Sequence, residues 1–222
     1  AGMTGVSVAP SKLLGGRFEI EREVGRGGVG IVFRAYDRVT GQPTALKVIA
    51  IPGVDAREEA RFRREGQVLA GLNHRGIVRL VDFGQLEEGM PYVAMEWLDG
   101  EDVAQRQKRK PLTLQEAVMV AADVADALAA AHAAGIVHRD VKPSNVFLVG
   151  SGVEEPESGV RGTIIPKLVD FGVASVEDTE VTQTGTIVGT PAYMAPEQAR
   201  GDAEVDARAD LYALGATMFE ML

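Results

Sequence analysis

The chain has 222 residues, 45% hydrophobic and 25% charged, which suits a folded globular protein of one large domain or two small lobes. A formal net charge of -9 excludes a general nucleic-acid binder, which needs a basic face. The absence of cysteine excludes disulfides, thiolate metal sites and a cysteine nucleophile, and is compatible with a reducing cytosol.

Residues 1–16 are rich in Gly, Ser and Pro and lack the basic start and apolar core of a signal peptide, so a flexible leader is expected. Residues 18–24 alternate apolar and polar, and 31–36 alternate again, predicting two strands around a glycine-rich connection. The turn Thr40-Gly41-Gln42-Pro43 leads to a third strand over 44–49. Residues 58–72 repeat Phe62, Leu69 and Leu72 along one side of a helix. Two more strands fit 77–83 and 92–95, so this half reads as a small sheet with one helix.

Gly100 marks a change of texture. Residues 114–134 predict a long alanine-rich helix with Val120, Val124, Leu128 and Ala131 as its packed stripe. The most membrane-like stretch, 117–136, is interrupted by Asp123, Asp126 and His132, so no membrane segment is expected in this chain. Short strands fit 146–149 and 167–169, with a polar surface insertion at 150–162 between them. A threonine-rich loop at 177–189 precedes a final helix over 206–222.

Chemistry concentrates in His138-Arg139-Asp140-Val141-Lys142-Pro143-Ser144-Asn145 and, downstream, Asp170-Phe171-Gly172. Phosphoryl transfer from a metal-bound nucleotide needs an acceptor for the incoming hydroxyl, a cation for the phosphoryl oxygens and oxygen ligands for Mg²⁺. Asp140, Lys142, Asn145 and Asp170 supply that set. Upstream, Gly25, Arg26, Gly27, Gly28, Val29 and Gly30 carry G-x-G-x-x-G, whose glycines let backbone N–H groups approach phosphate. The same pattern opens a dinucleotide-binding fold, but that requires a helix next, and 31–36 reads as a strand. Lys47 sits mid-strand among apolar residues with Glu65 as a suitable partner on the next helix. Taken alone, Lys47 reads equally well as a solvated strand charge.

These motifs, together with A-L-K ending at Lys47, M-E-W-L at 95–98, G-T-P-A-Y-M-A-P-E at 189–197 and D-A-R-A-D-L-Y-A-L-G from Asp206, resemble the eukaryotic-like (Hanks-type) protein kinases. The likeness runs over 18–222 and is strongest to the bacterial Ser/Thr branch. It implies an α+β, two-lobed fold: an N-lobe at 17–98 with a small antiparallel sheet and one main helix, and a mainly helical C-lobe at 99–222. The C-lobe is expected to be truncated, because the family's later helices, and the arginine that pairs with Glu197, lie past Leu222.

The resemblance also implies roles. ATP with Mg²⁺ or Mn²⁺ is the expected cofactor pair, and proteins bearing Ser or Thr are the expected substrates. Asp140 resembles the base, Lys142 the charge neutraliser and mark of Ser/Thr specificity, and Asn145 with Asp170 the metal ligands. Lys47, paired with Glu65, resembles the lysine on the α- and β-phosphates. Val32, Ala45 and Phe147 fall where adenine is sandwiched; Met95 resembles the gatekeeper, and 96–98, with Glu96 and Leu98, the hinge. Leu69, Leu80, His138 and Phe171 fall on the stack linking the lobes, anchored by Asp210. Arg139 before Asp140 marks kinases switched by loop phosphorylation, with Thr182 and Thr184 as the expected acceptors. Such a domain is expected in the cytoplasm, any membrane anchor lying outside this chain, and N-lobe homodimers are a theme of the branch. A binding module without catalysis is the competing expectation.

Overall fold

Alternating apolar and charged residues lay down the first sheet. The computed structural model of the chain describes residues 12–27, 30–49, 56–86, 89–150, 164–171, 191–202 and 205–222, without the side chains of 56–62 and 65. The chain divides into two compact units, residues 1–63 with 79–97 and residues 64–78 with 98–222.

In the first unit, β1 (Leu13–Leu14), β2 (Phe18–Gly27), β3 (Gly30–Asp37), β4 (Gln42–Ile49), β5 (Leu80–Gln85) and β6 (Pro91–Glu96) form one antiparallel sheet in the order β1-β2-β3-β4-β6-β5. Residues 13–14, expected in the leader, pair instead with Glu19 and Phe18, because Leu14 joins the core. The strand predicted over 77–83 starts at Leu80 and runs to Gln85. One face packs Phe18, Ile20, Ile31, Phe33, Leu46 and Val48. Gly30 is required where it stands: a Cβ there would meet the Val48 carbonyl oxygen at 2.2 Å. Gly25 and Gly27, by contrast, face open space.

A polar network ties the turn between β1 and β2 to β3 and to the far edge strand β5. Arg17 Nε and Nη2 donate to the two oxygens of Asp37 at 2.7 and 2.8 Å, and its Nη1 pairs with Asp82. Tyr92 Oη donates to the same Asp82 oxygen at 3.0 Å. Asp37 is fully buried and also accepts from the Val39 amide and the Thr40 hydroxyl. The Arg17 guanidinium holds its carboxyl well below the usual range, and burial pushes the Tyr92 phenol up to about 12. Elsewhere on the sheet, Arg34 and Arg22 lie over the ring of Trp97, at 4.9 and 5.7 Å from its centre.

The helix α1 (Ala56–Gly71) buries Leu69 near its end. In the second unit, residues 76–78 run parallel to β9 (Ile165–Leu168): Val78 N–H donates to the Leu168 carbonyl and Leu168 N–H to the Gly76 carbonyl. His74 and Arg75 pair with Asp126 and Asp123 on α3 (Leu114–Ala133). That helix starts at a reciprocal cap between Thr113 and Glu116 and buries Ala117, Val120, Ala121, Val124, Ala127, Leu128 and Ala131, which includes the predicted stripe. β7 (Gly100–Asp102), β8 (Val146–Val149) and β9 form a second sheet. Asp102 also caps α2 (Val103–Arg109). The short α4 (Pro196–Arg200) and α5 (Ala207–Met221) complete the described elements, and α5 buries Ala209, Asp210, Ala213, Thr217 and Met221 at near-helical spacing. Among the described residues, no helix is long and apolar enough to cross a membrane.

Candidate active site

The segment 138–145 is held from below by one buried carboxylate. Asp210, in the first turn of α5, accepts the backbone N–H of His138 at 2.8 Å and of Arg139 at 2.7 Å, and His132 Nε2 donates to it at 2.7 Å. Arg139 takes a left-handed backbone, φ 66°, which costs a non-glycine residue about 1–3 kcal/mol and persists only where its surroundings fix it. The Asp210 bond to its amide is part of that fixing.

His138 is fully buried, and its hydrogen bonds define its tautomer. Nε2 faces the Val169 carbonyl at 3.0 Å and must donate; Nδ1 receives the Asp140 amide at 3.3 Å and must accept. One neutral imidazole satisfies both. Burial lowers its pKa from the ordinary histidine value, in agreement. The ring sits 4.5 Å from that of Phe171, also buried. A structural histidine thus ties the segment ahead of Asp170 to the amide of Asp140.

Asp140 is partly exposed, and one of its oxygens is doubly engaged. Lys142 Nζ donates to Oδ2 at 2.7 Å, and Asn145 Nδ2 donates to the same oxygen at 2.9 Å and to the Asp140 carbonyl at 2.8 Å. Pro143–Asn145 forms a single 3₁₀ turn, which brings Asn145 back to Asp140. Because the Asn145 NH₂ group points at Asp140, its amide oxygen is turned away from it and is the atom a hard cation would take. The Asn145 carbonyl accepts the Val169 amide at 3.0 Å, placing the two segments side by side. Asp170 follows with φ 59°, a conformation aspartate tolerates better than most residues. An amide oxygen and a carboxylate on adjoining segments suit a cation that also binds phosphate. Among the described residues no three His, Asp or Glu side chains cluster around a point that could hold a metal on protein ligands alone.

In the first unit the register sorts the expected nucleotide contacts. Val32 is opposite Lys47, Ala45 is opposite Met95, and Lys47 is opposite Val93, so these side chains share the face opposite the core. Gly25 pairs with Val32, which sets the exposed glycine turn at the end of the same strand. Arg26 in that turn is paired with Glu23 at 2.8 Å. Glu96, half-buried at the end of β6, is held to the backbone of Arg79 through its amide and its carboxylate. In the second unit Leu98 is half-buried, and Phe147 on β8 lies opposite Asp102 and Lys167. Gly28, Val29, Thr182 and Thr184 lie outside the described residues, as does the side chain of Glu65, expected to pair with Lys47. One contributor had no signal in the sequence: Gln198 on α4, whose side chain donates to the Arg139 carbonyl at 2.8 Å.

The protein kinase domain family matches residues 18–222. The chain is 37% identical over 218 residues to serine/threonine-protein kinase pkn3 of Myxococcus xanthus, covering 95% of this chain and 38% of that protein. It is 39% identical over 219 residues to serine/threonine-protein kinase PknB of Mycobacterium tuberculosis, covering 94% and 33% respectively. It therefore spans about a third of the length of these curated relatives. Among solved structures, the PknI kinase domain of Mycobacterium tuberculosis superposes with a TM-score of 0.75 at 31% identity, over 97% of this chain and 77% of that one.

Proposed function

Because the chain belongs to the protein kinase domain family, we propose that it transfers the γ-phosphoryl group of ATP to serine and threonine hydroxyls of proteins, with Mg²⁺ or Mn²⁺ as the cation. The observation that carries this reading is the Asp140 carboxylate, aimed by Lys142 and Asn145 through one of its two oxygens. With Oδ2 so engaged, Oδ1 takes the proton of the substrate hydroxyl. The hydroxyl oxygen bonds to the γ-phosphorus, the bond from that phosphorus to the bridging oxygen breaks, and ADP leaves. Lys142 neutralises charge on the moving phosphoryl oxygens. The Asn145 amide oxygen and the Asp170 carboxylate would hold the cation, which would supply positive charge against the phosphates.

The remaining roles follow the family likeness. Gly25, Arg26, Gly27, Gly28, Val29 and Gly30 lie along the phosphates, and Lys47, steadied by Glu65, meets the α- and β-phosphates. Val32, Ala45 and Phe147 take the family's adenine-contacting roles, Met95 that of the gatekeeper, and the backbone of 96–98, with Glu96 and Leu98, that of the hinge. Phosphorylation of Thr182 or Thr184 regulates the enzyme through Arg139. The shared face of Val32, Ala45, Lys47 and Met95 supports this assignment of the sheet.

The test is incubation with γ-labelled ATP, Mg²⁺ and a generic basic protein, followed by phosphosite mapping. Label on Thr182 or Thr184 and on the added protein is expected. Asp140→Asn should slow transfer by about 10²–10⁴-fold, the usual worth of a positioned acid–base group, while the thermal shift given by ATP is retained. Equal rates for the two proteins would remove Asp140 as the base. ATP binding without any transfer by the wild type would leave a binding module. Sedimentation decides between a monomer and an N-lobe dimer.

A further inference from the structure

Gln198 is the third residue of α4, and its amide bridges two backbones. The Ala195 N–H donates to Gln198 Oε1 at 3.1 Å, and Gln198 Nε2 donates to the Arg139 carbonyl at 2.8 Å. The orientation of the amide is forced, since a backbone N–H can only donate and a carbonyl can only accept.

The Arg139 carbonyl and the Asp140 amide are two ends of one planar peptide. Gln198 holds the first end, and His138 Nδ1 receives the second at 3.3 Å. The residue before that plane, Arg139, has φ 66° with its own N–H on Asp210. Fixing the carbonyl fixes the remaining rotation between Arg139 and its neighbour. That rotation sets where the Asp140 side chain leaves the backbone.

We propose that Gln198 is a positioning residue for phosphoryl transfer: by holding the Arg139–Asp140 peptide, it sets the aim of the Asp140 carboxylate and couples the start of α4 to the catalytic segment. This rests on Asp140 being the base. Gln198 touches neither nucleotide nor hydroxyl, so its removal lowers kcat and leaves KM for ATP nearly unchanged.

Two variants of the full chain test this. Gln198→Glu keeps the oxygen facing Ala195 but sets a carboxylate oxygen against the Arg139 carbonyl; when protonated it regains a donor. Relative to wild type at the same pH, its kcat is expected to be lower by about tenfold near pH 8, with KM for ATP within about twofold. The deficit should close as the pH falls and the new carboxyl takes up its proton. Gln198→Ala should show a deficit of similar size that does not close. Melting temperatures establish that both variants are folded during the assay. The proposal is overturned if the Glu variant matches wild type throughout, if both variants keep the same deficit at every pH, or if the effect falls on KM for ATP. Amide hydrogen exchange provides a readout independent of turnover: Asp140 should exchange about tenfold faster in Gln198→Ala, with α3 unchanged. Unchanged exchange at Asp140 overturns the clamp. Absence of transfer by the wild type would sink the kinase reading instead, with the exchange result still deciding the clamp.

Discussion

Asp210→Asn perturbs the site with almost no change of shape. The carboxylate accepts three donors: the backbone N–H groups of His138 and Arg139 and the ring of His132. Asparagine offers one oxygen and turns an NH₂ group toward at least one of those donors. A hydrogen bond to a charged acceptor contributes about 1.5–3 kcal/mol, and a buried donor left unpaired costs about 1–3 kcal/mol. One lost partner and two weakened ones give about 3 kcal/mol, a large share of the roughly 5–15 kcal/mol that holds a domain together. With a urea slope of about 1–3 kcal/mol/M, the unfolding midpoint should fall by about 1–3 M. Arg139 loses part of what keeps it at φ 66°, so transfer activity should fall even where the variant remains folded. The assay is urea denaturation followed by far-ultraviolet circular dichroism, with initial rates measured well below the midpoint. A shift under about 0.3 M, well below the expected fall, together with an unchanged rate, would refute the claim that Asp210 organises this segment.

Three further outcomes are expected. The lowered pKa of buried His138 means that, below the ordinary value of about 6.5, the unfolded chain binds a proton the folded chain does not, so stability drops with falling pH by at most about 1.4 kcal/mol per unit; ring ¹⁵N spectra showing His138 protonated at the ordinary value would contradict this. Asp37 titrates below the usual range, so its pairing with Arg17 stabilises the sheet above about pH 4 and is lost as acid protonates the carboxyl; Asp37→Asn should lower the thermal midpoint at neutral pH and flatten its acid dependence, and an unchanged midpoint would deny the network its role. Gly30→Ala should destabilise by about 1–3 kcal/mol, since its Cβ meets the Val48 carbonyl oxygen at 2.2 Å, whereas Gly27→Ala, facing open space, should leave the melting temperature within a degree or so; equal effects would show that the two glycines are not retained for different reasons.

Strands β3 and β4 were legible because they alternate with a period of two and bury one face, as Phe33 and Leu46 do. The candidate segment 138–145 was legible because its partners lie within a few residues: Lys142 and Asn145 reach Asp140 through one tight turn. What the sequence did not disclose depends on distant pairs or very short elements. Arg17 finds Asp37 and Asp82 across 20 and 65 positions, and no local pattern links them. β7 has three residues, and its Asp102 serves at once as the last strand residue and as the cap of α2, so the stretch carries no period. Gln198 meets Arg139 across 59 positions from a five-residue helix. The strand expected from Ile77 begins at Leu80 because Ile77 bridges to Leu168 in the second sheet's neighbourhood instead.

The stacking of Arg34 and Arg22 on Trp97 has an optical consequence. Trp97 is the sole tryptophan of the chain, so all indole emission originates at the last residue of the first unit, just beyond β6. Its two guanidinium neighbours come from β3 and β2, the hairpin whose tip carries Gly25 and Gly27. Any shift of that hairpin alters the charge lying on the indole face and hence the colour of its fluorescence. The protein thus carries an intrinsic dye through which motion of the glycine turn can be followed in real time, without a label and without turnover.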